Sequence, residues 1–294
     1  MQPSLQGVAV ALVGGDAREK ILAARLAALG AAVRAVGLPV EGEGIETFAD
    51  IAPAVAGARA LILPVRGIDE EGRIYGDFME QPQVLLPDHL CLLPPGSPVL
   101  VGVARPSLRE MAERAGVRLV ELMEMDEVAI LNSIPSAEGA IQAAMESLPI
   151  TIHGSRCAVL GFGRTGMTLA RMLHALGART LVVARNPAQL ARAFEMGLDT
   201  ASFAELPGVV AQADVIFNTV PALVLDEQVL RHARPDTLIL DLASSPGGTD
   251  FEAARRLGLK ARLLPGLPGK VAPRTAGEIL ARVVPRLLAD LLAL

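Results

Sequence analysis

Three glycines are spaced to hold a diphosphate, in the run Gly161-Phe162-Gly163-Arg164-Thr165-Gly166. The short apolar segment Cys157–Leu160 leads into them, and an amphipathic stretch over Thr165–Leu176 follows. That strand–turn–helix setting turns a common glycine pattern into a dinucleotide-binding signature. Gly161 allows the tight turn, Gly163 lets a pyrophosphate approach the backbone, and Gly166 lets the helix pack on the strand. Unpaired N–H groups at the helix start then face the phosphates. The competing reading is a βα turn that is merely rich in glycine.

The next strand end decides which nucleotide the loop takes. That strand runs to Ala184, and Arg185 and Asn186 follow about twenty residues past the loop, where an NAD site carries an acid. An acid there bonds both ribose hydroxyls and repels a 2′-phosphate, whereas arginine presents a planar charged fork to phosphate. Arg185 therefore predicts NADP(H), with NAD(H) still accepted if Arg185 only stacks on adenine. Two more strand ends carry polar groups. "VIFNTVP" places Asn218 and Thr219 before Pro221, and "LILDLASSPGGTDF" places Asp241 and Ser244. Ligands of open α/β sheets bind outside the carboxyl ends of the strands, so these residues are candidates for ribose and nicotinamide. The alternative is that they are generic loop caps.

Such groups need alternating strands and helices to position them. Of 294 residues 51% are hydrophobic, yet there is no Trp and one Tyr, so aliphatic side chains must build the core. With 28 Gly and 21 Pro, the composition suits an α/β protein with many tight βα turns and excludes disordered and fibrous chains. The length fits two domains. A net charge of −5, with the charges interspersed, offers no basic stripe to nucleic acid. Cys91 and Cys157 lie far apart and read as free thiols of a reducing compartment. The start "MQPSLQGVAVALVGG" lacks a basic leader region, and no apolar stretch is long enough to span a bilayer. A soluble cytoplasmic protein is expected.

Short apolar runs predict strands at Val8–Val13, Ala32–Val36, Ala60–Leu63, Pro98–Val103 and Arg118–Leu122 in the first half. Helices are predicted at Ala17–Leu29 and Ser107–Ala115, the latter capped by Ser107, and Arg66–Leu93 reads as a long irregular excursion. In the second half strands fall at Cys157–Leu160, Thr180–Val183, Val215–Asn218, Leu238–Leu242 and Lys260–Leu264. A helix over Ser136–Leu148, capped by Ser136, joins the halves, and Thr275–Leu294 forms an apolar helix interrupted by Pro285. The predicted architecture is α/β, with two doubly wound parallel-sheet domains and a cleft between them. Residues 1–135 form a substrate-side domain, 136–150 a connecting helix, and 151–272 a Rossmann NAD(P)-binding domain. Residues 273–294 form a helix packed back on the first domain or on a sister subunit, which makes a homo-oligomer an expectation.

Four stretches together resemble the A subunits of dipicolinate synthase. They are "GGDAR" (14–18), "NSIPSAEG" (132–139), "HGSRCAVLGFGRTGMTLAR" (153–171), and "LDLASSPGGTDF" (240–251) with "PGLPGKVAPRTAGEIL" (265–280). The similarity runs from near residue 7 to the C-terminal helix, and the second and last stretches are far more specific than the glycine loop. One departure is Ser245, which stands where a basic residue is expected. The resemblance implies oxidation of 4-hydroxy-tetrahydrodipicolinate, or of the dihydrodipicolinate formed by its dehydration, to aromatic dipicolinate with reduction of NADP+. It also implies a partner, the flavoprotein-like B subunit, and action in the mother-cell cytoplasm during sporulation.

A small dicarboxylate calls for two anion sites, ideally an arginine fork and a helix N-terminus. Arg18 lies in the turn after the first strand, and Asn132, Ser133 and Ser136 flank the start of the connecting helix. Arg274 precedes the last helix. These five are the candidate substrate-binding residues. Aromatisation makes loss of hydride and a ring proton strongly downhill, leaving the protein to supply orientation and a modest general base. His89, Glu138 and Asp16 are the candidates for proton transfer. Each has a structural alternative: His89 as an ordinary loop residue, Asp16 as a helix cap, Glu138 as complement to a helix dipole. His153, His174 and His232 show no metal-ligand spacing with Cys or Asp, so no metal is expected. Two other functions suit the same fold. One is a dehydrogenase of another small hydroxy or amino acid, similar to alanine or shikimate dehydrogenases; the other is a cofactor-binding subunit whose chemistry its partner completes.

Overall fold

The computed structural model describes residues 3–294. They form two units, each built on a six-stranded parallel sheet. In the first unit the order along the chain is β1 (Ala9–Val13), α1 (Ala17–Ala28), β2 (Ala32–Val36), β3 (Ile45–Phe48), α2 (Ile51–Val55) and β4 (Ala60–Ile62). It continues through α3 (Pro87–Leu90), β5 (Pro98–Val101), α4 (Pro106–Ala115), β6 (Arg118–Glu121) and the start of α5 (Asp126–Ser147). The strands lie in the order β3-β2-β1-β4-β5-β6.

The second unit, Asn132–Val271, takes up the rest of α5. It then runs β7 (Arg156–Leu160), α6 (Arg164–Ala175), β8 (Arg179–Val183), α7 (Pro187–Glu195), β9 (Asp199–Ala201), α8 (Leu206–Val210) and β10 (Val215–Asn218). It closes with α9 (Glu227–Leu230), β11 (Leu238–Asp241), α10 (Phe251–Arg256), β12 (Lys260–Leu263) and α11 (Leu267–Val271). Its strands lie in the order β12-β11-β10-β7-β8-β9. The last helix, α12 (Pro273–Leu291), belongs to the first unit.

Strands covered by helices on both faces read as continuous apolar runs, because both sets of alternating side chains are buried. In β1, Val10 and Leu12 join a core with Leu22, Leu26, Val283 and Leu288, while Ala11 and Val13 join Leu61, Leu63 and Leu108 on the opposite face. In β7, Val159 packs with Leu169, Leu173 and Phe217, and Ala158 and Leu160 pack with Ile216 and Ile239. The edge strands β3 and β9 carry exposed polar residues, IETF and DTA, so no apolar run marks them in the sequence.

Three local expectations are overturned. The connecting helix begins at Asp126, not at Ser136, and runs through Pro135. Ser136 is therefore interior, and its hydroxyl donates to the Asn132 carbonyl one turn back (2.8 Å). The cap of α4 is Arg105 with Pro106 in the first turn, and the hydroxyl of Ser107 is buried without a partner. Pro285 does not interrupt α12, which continues through it as a helix of 19 residues. That helix packs along α1 at Gly277, where a Cβ would stand 2.7 Å from Ile21 Cδ1 and 3.1 Å from the Cα of Arg18.

Candidate active site

In each sheet the strand order reverses beside the first strand of the unit, at β1/β4 and at β7/β10. Connections leave such neighbours toward opposite faces, opening a crevice at the carboxyl ends of the strands. The turn after β7 is the glycine loop. Gly161 has φ +91°, a left-handed conformation natural to glycine. A Cβ there would stand 2.6 Å from Thr219 Oγ1, and a Cβ on Gly166 would stand 2.1 Å from the Gly161 carbonyl oxygen. A Cβ on Gly163 would meet nothing within 4 Å, which leaves open the approach a pyrophosphate needs. Gly163 caps α6 and brings no side chain of its own to accept from the first-turn N–H groups. This donor set fits a dinucleotide phosphate, and a bound nicotinamide would supply a hydride acceptor.

The neighbouring candidates divide into exposed groups and groups used by the fold. Arg185 is exposed at the end of β8 and makes no ion pair or hydrogen bond among the described residues. Asn186 caps α7, its Oδ1 accepting from the Ala188 N–H (2.9 Å). Thr219 is half-buried and donates to the Leu160 carbonyl (2.8 Å), holding the loop after β10 against the glycine turn. Arg164, Pro221 and Ser244 are exposed, Thr165 is half-buried, and Phe162 is 2% exposed among the core residues, so it can offer a ligand only its backbone.

Asn218 and Asp241, expected to touch ribose or nicotinamide, are fully buried and bonded to each other (3.0 Å). Asn218 also donates to the Val220 carbonyl and accepts from the Val220 N–H. Asp241 accepts in addition from the Ala243 and Gly248 N–H groups and from the Thr249 hydroxyl (2.7 Å). Both polar groups are spent on shaping the loops that follow β10 and β11. Gly248 and Thr249, which the sequence did not bring forward, belong to this network.

In the first unit the turn Gly14-Gly15-Asp16 follows β1. Asp16 caps α1, accepting from the Arg18 N–H (2.9 Å), and Glu19 accepts in return from the Asp16 N–H (2.8 Å). The guanidinium of Arg18 binds both carboxylate oxygens of Asp16, with contacts of 2.7–3.1 Å. Arg18 is 7% exposed. Its fork is thus engaged by Asp16 in this structure, where it had been expected to face the substrate. Burial pushes the Asp16 carboxyl up, but hydrogen bonds and charge from Arg18 outweigh this and hold it below the ordinary 3.8, so it is a poor base. Glu19, 2% exposed, is pushed up by burial, and its second oxygen accepts from the Val65 N–H (3.0 Å).

The remaining candidates are placed away from the roles expected of them. His89 lies in α3, and its Nδ1 accepts from the Leu86 N–H (3.1 Å). Burial lowers its pKa, and a neutral ring bonded at Nδ1 carries its proton on Nε2, which leaves no lone pair for a general base. Glu138 is exposed in the middle of α5 rather than in a first turn, so it complements no helix N-terminus. Ser133 is 1% exposed and shares a hydrogen bond with Thr168 of α6 (2.6 Å). With Asn132 and Ser136 it lies inside α5, where no N-terminus is available to hold a carboxylate. Arg274 is exposed and ion-paired with Glu278 (2.8 Å). Among the described residues no three His, Cys, Asp or Glu side chains gather as a metal site, and no helix is long and apolar enough to cross a membrane.

Two family models match the chain. Residues 9–123 match the N-terminal domain of the dipicolinate synthase A subunit, and residues 132–243 the NAD-binding domain of D-isomer specific 2-hydroxyacid dehydrogenases. The dipicolinate synthase A subunit of Bacillus subtilis (strain 168) is 44% identical over 293 residues, 98% of each chain. The crystal structure of the corresponding protein from Bacillus halodurans, also a dipicolinate synthase A subunit, superposes with a TM-score of 0.94 at 39% identity, over 98% of this chain and 99% of that one. That of the Bacillus subtilis protein gives 0.93 at 44% identity, over 99% and 98%. On this identity across nearly the whole of both chains, and with a dehydrogenase NAD-binding domain that carries the glycine loop, the chain belongs to the family of dipicolinate synthase A subunits and is an NAD(P)-dependent oxidoreductase.

Proposed function

We propose that the chain makes dipicolinate, with NADP+ as oxidant. Loss of water from 4-hydroxy-tetrahydrodipicolinate gives dihydrodipicolinate. Removal of a hydride to NADP+ and of a ring proton then gives aromatic dipicolinate, NADPH and H+. The observation that carries this reading is the 44% identity over 98% of both chains, a match whose extent takes in the nucleotide loop. Gly161, Gly163 and Gly166 take the pyrophosphate on the N-terminus of α6, and the exposed, unpartnered fork of Arg185 takes the 2′-phosphate. The relative's name marks it as one of several subunits, which supports a partner subunit for this chain too, and its source supports action in the mother-cell cytoplasm of a sporulating bacterium.

The purified chain mixed with NADP+ and freshly generated 4-hydroxy-tetrahydrodipicolinate should produce NADPH absorbance and dipicolinate in equal amounts. Turnover that appears only on adding the B subunit would mean that the chemistry is shared between the two. No NADPH with or without that subunit would refute the reading. Exchanging Arg185→Asp should weaken NADP(H) much more than NAD(H), since a charge-assisted contact contributes about 1.5–3 kcal/mol. Equal losses for both cofactors would remove the 2′-phosphate assignment.

A further inference from the structure

We propose that Arg66 holds one carboxylate of the substrate, an inference that rests on the dicarboxylate reading above. Arg66 follows β4, so it stands at the carboxyl end of the strand next to β1, in the crevice where the strand order of the first unit reverses. Its guanidinium lies 4.3 Å from the centroid of the Tyr75 ring. A cation stacked on a ring uses its face, and the five N–H donors in the guanidinium plane stay available for a carboxylate. Arg66 is exposed and makes no ion pair or hydrogen bond among the described residues.

The other cations at this end of the unit are engaged. Arg18 is bound to Asp16, Arg73 to Asp69 and Glu71, and Arg105 to Glu70, while Lys20 lies over the Phe78 ring. Asp16 is neutralised by Arg18, and Glu19 is buried against backbone donors. The backbone that carries Arg66 is anchored on both sides. Val65 donates to buried Glu19 (3.0 Å), and Gly67 donates to the Pro64 carbonyl (2.8 Å). The Tyr75 N–H donates to the Gly67 carbonyl (3.3 Å) and the Tyr75 carbonyl accepts from the Gly15 N–H (2.9 Å), which ties the main chain beneath the ring to the β1–α1 turn. A fork held this way binds a planar carboxylate with little ordering left to do.

The test is calorimetric titration of the full-length chain with dipicolinate, beside a separate titration with NADPH, for the parent, Arg66→Gln and Arg66→Lys. Arg66→Gln should lose about ten-fold or more in dipicolinate affinity, with Arg66→Lys between it and the parent, because lysine keeps the charge without the fork. NADPH affinity should be the same in all three. Parent-like dipicolinate binding by Arg66→Gln would overturn the assignment while leaving the functional reading intact. An equal loss of NADPH affinity would overturn it by giving Arg66 a role in the fold. A parent chain that does not bind dipicolinate would overturn both.

Discussion

Replacing Gly163 by alanine separates the nucleotide cradle from the fold. A Cβ at this position meets no atom within 4 Å, and the backbone at φ −86°, ψ −160° is open to any residue. Gly163→Ala should therefore unfold in urea as the parent does, within about 0.5 kcal/mol. The same methyl on Gly166 would lie 2.1 Å from a backbone carbonyl oxygen that cannot swing away, so Gly166→Ala should cost about 1–3 kcal/mol of stability. Function should respond at both positions. The alanine at 163 fills the approach of the pyrophosphate to the helix N-terminus. Losing one hydrogen bond to a charged group costs about 1.5–3 kcal/mol, or about 10- to 160-fold in Kd for NADPH. Fluorescence titration with NADPH beside a urea melt reads both quantities. Parent-like NADPH affinity in a stable Gly163→Ala chain would refute the placement of the phosphates.

Further predictions concern groups the fold has claimed. Asp241→Ala should cost about 3 kcal/mol or more in urea unfolding, because the buried donors of Ala243, Gly248 and Thr249 lose their acceptor at about 1–3 kcal/mol each; a loss below about 1 kcal/mol would contradict the network. Asp16 is held below the ordinary 3.8, so its contribution is present above that pH and is lost as the pH falls through the depressed value. Asp16→Asn should accordingly be less stable at neutral pH and converge on the parent in acid, as pH-dependent urea midpoints would show; a constant difference at every pH would count against the pairing. Burial pushes the Cys157 thiol up to about 11, while Cys91 is exposed. A thiol reagent at mildly alkaline pH should label Cys91 alone in the native chain and both thiols in urea, and prompt native labelling of Cys157 would refute its burial.

Most of the fold was legible because interior parallel strands are buried on both faces and spell themselves as short aliphatic runs. Two of the four edge strands were not, since Ile45–Phe48 and Asp199–Ala201 are short and carry exposed polar side chains, whereas the edge strands β6 and β12 fell where apolar residues predicted them. Helix α5 was misjudged at its start because Ser136 after Pro135 has the composition of a cap, yet tertiary packing carries the helix straight through the proline. The strand–turn–helix around Gly161 and Gly166 was legible, because a left-handed turn and a close backbone approach both call for glycine.

The sequence by itself determined the class of the second domain, the glycine turn after β7 and the cation at the end of β8, all of which follow from local stereochemistry along a strand–turn–helix–strand unit. Only the tertiary structure decided which polar groups remain available. Arg18, Asn218 and Asp241 have the chemistry of ligand-binding residues, but each finds a partner within the protein, two of them across strands or loops remote in sequence. Arg66 had no motif around it; the fold of the loop sets Tyr75 against its guanidinium, and Glu19, remote in sequence, holds the backbone beside it. A side chain's type sets what it can bind, but burial and competing partners set whether any of that capacity is left for a ligand.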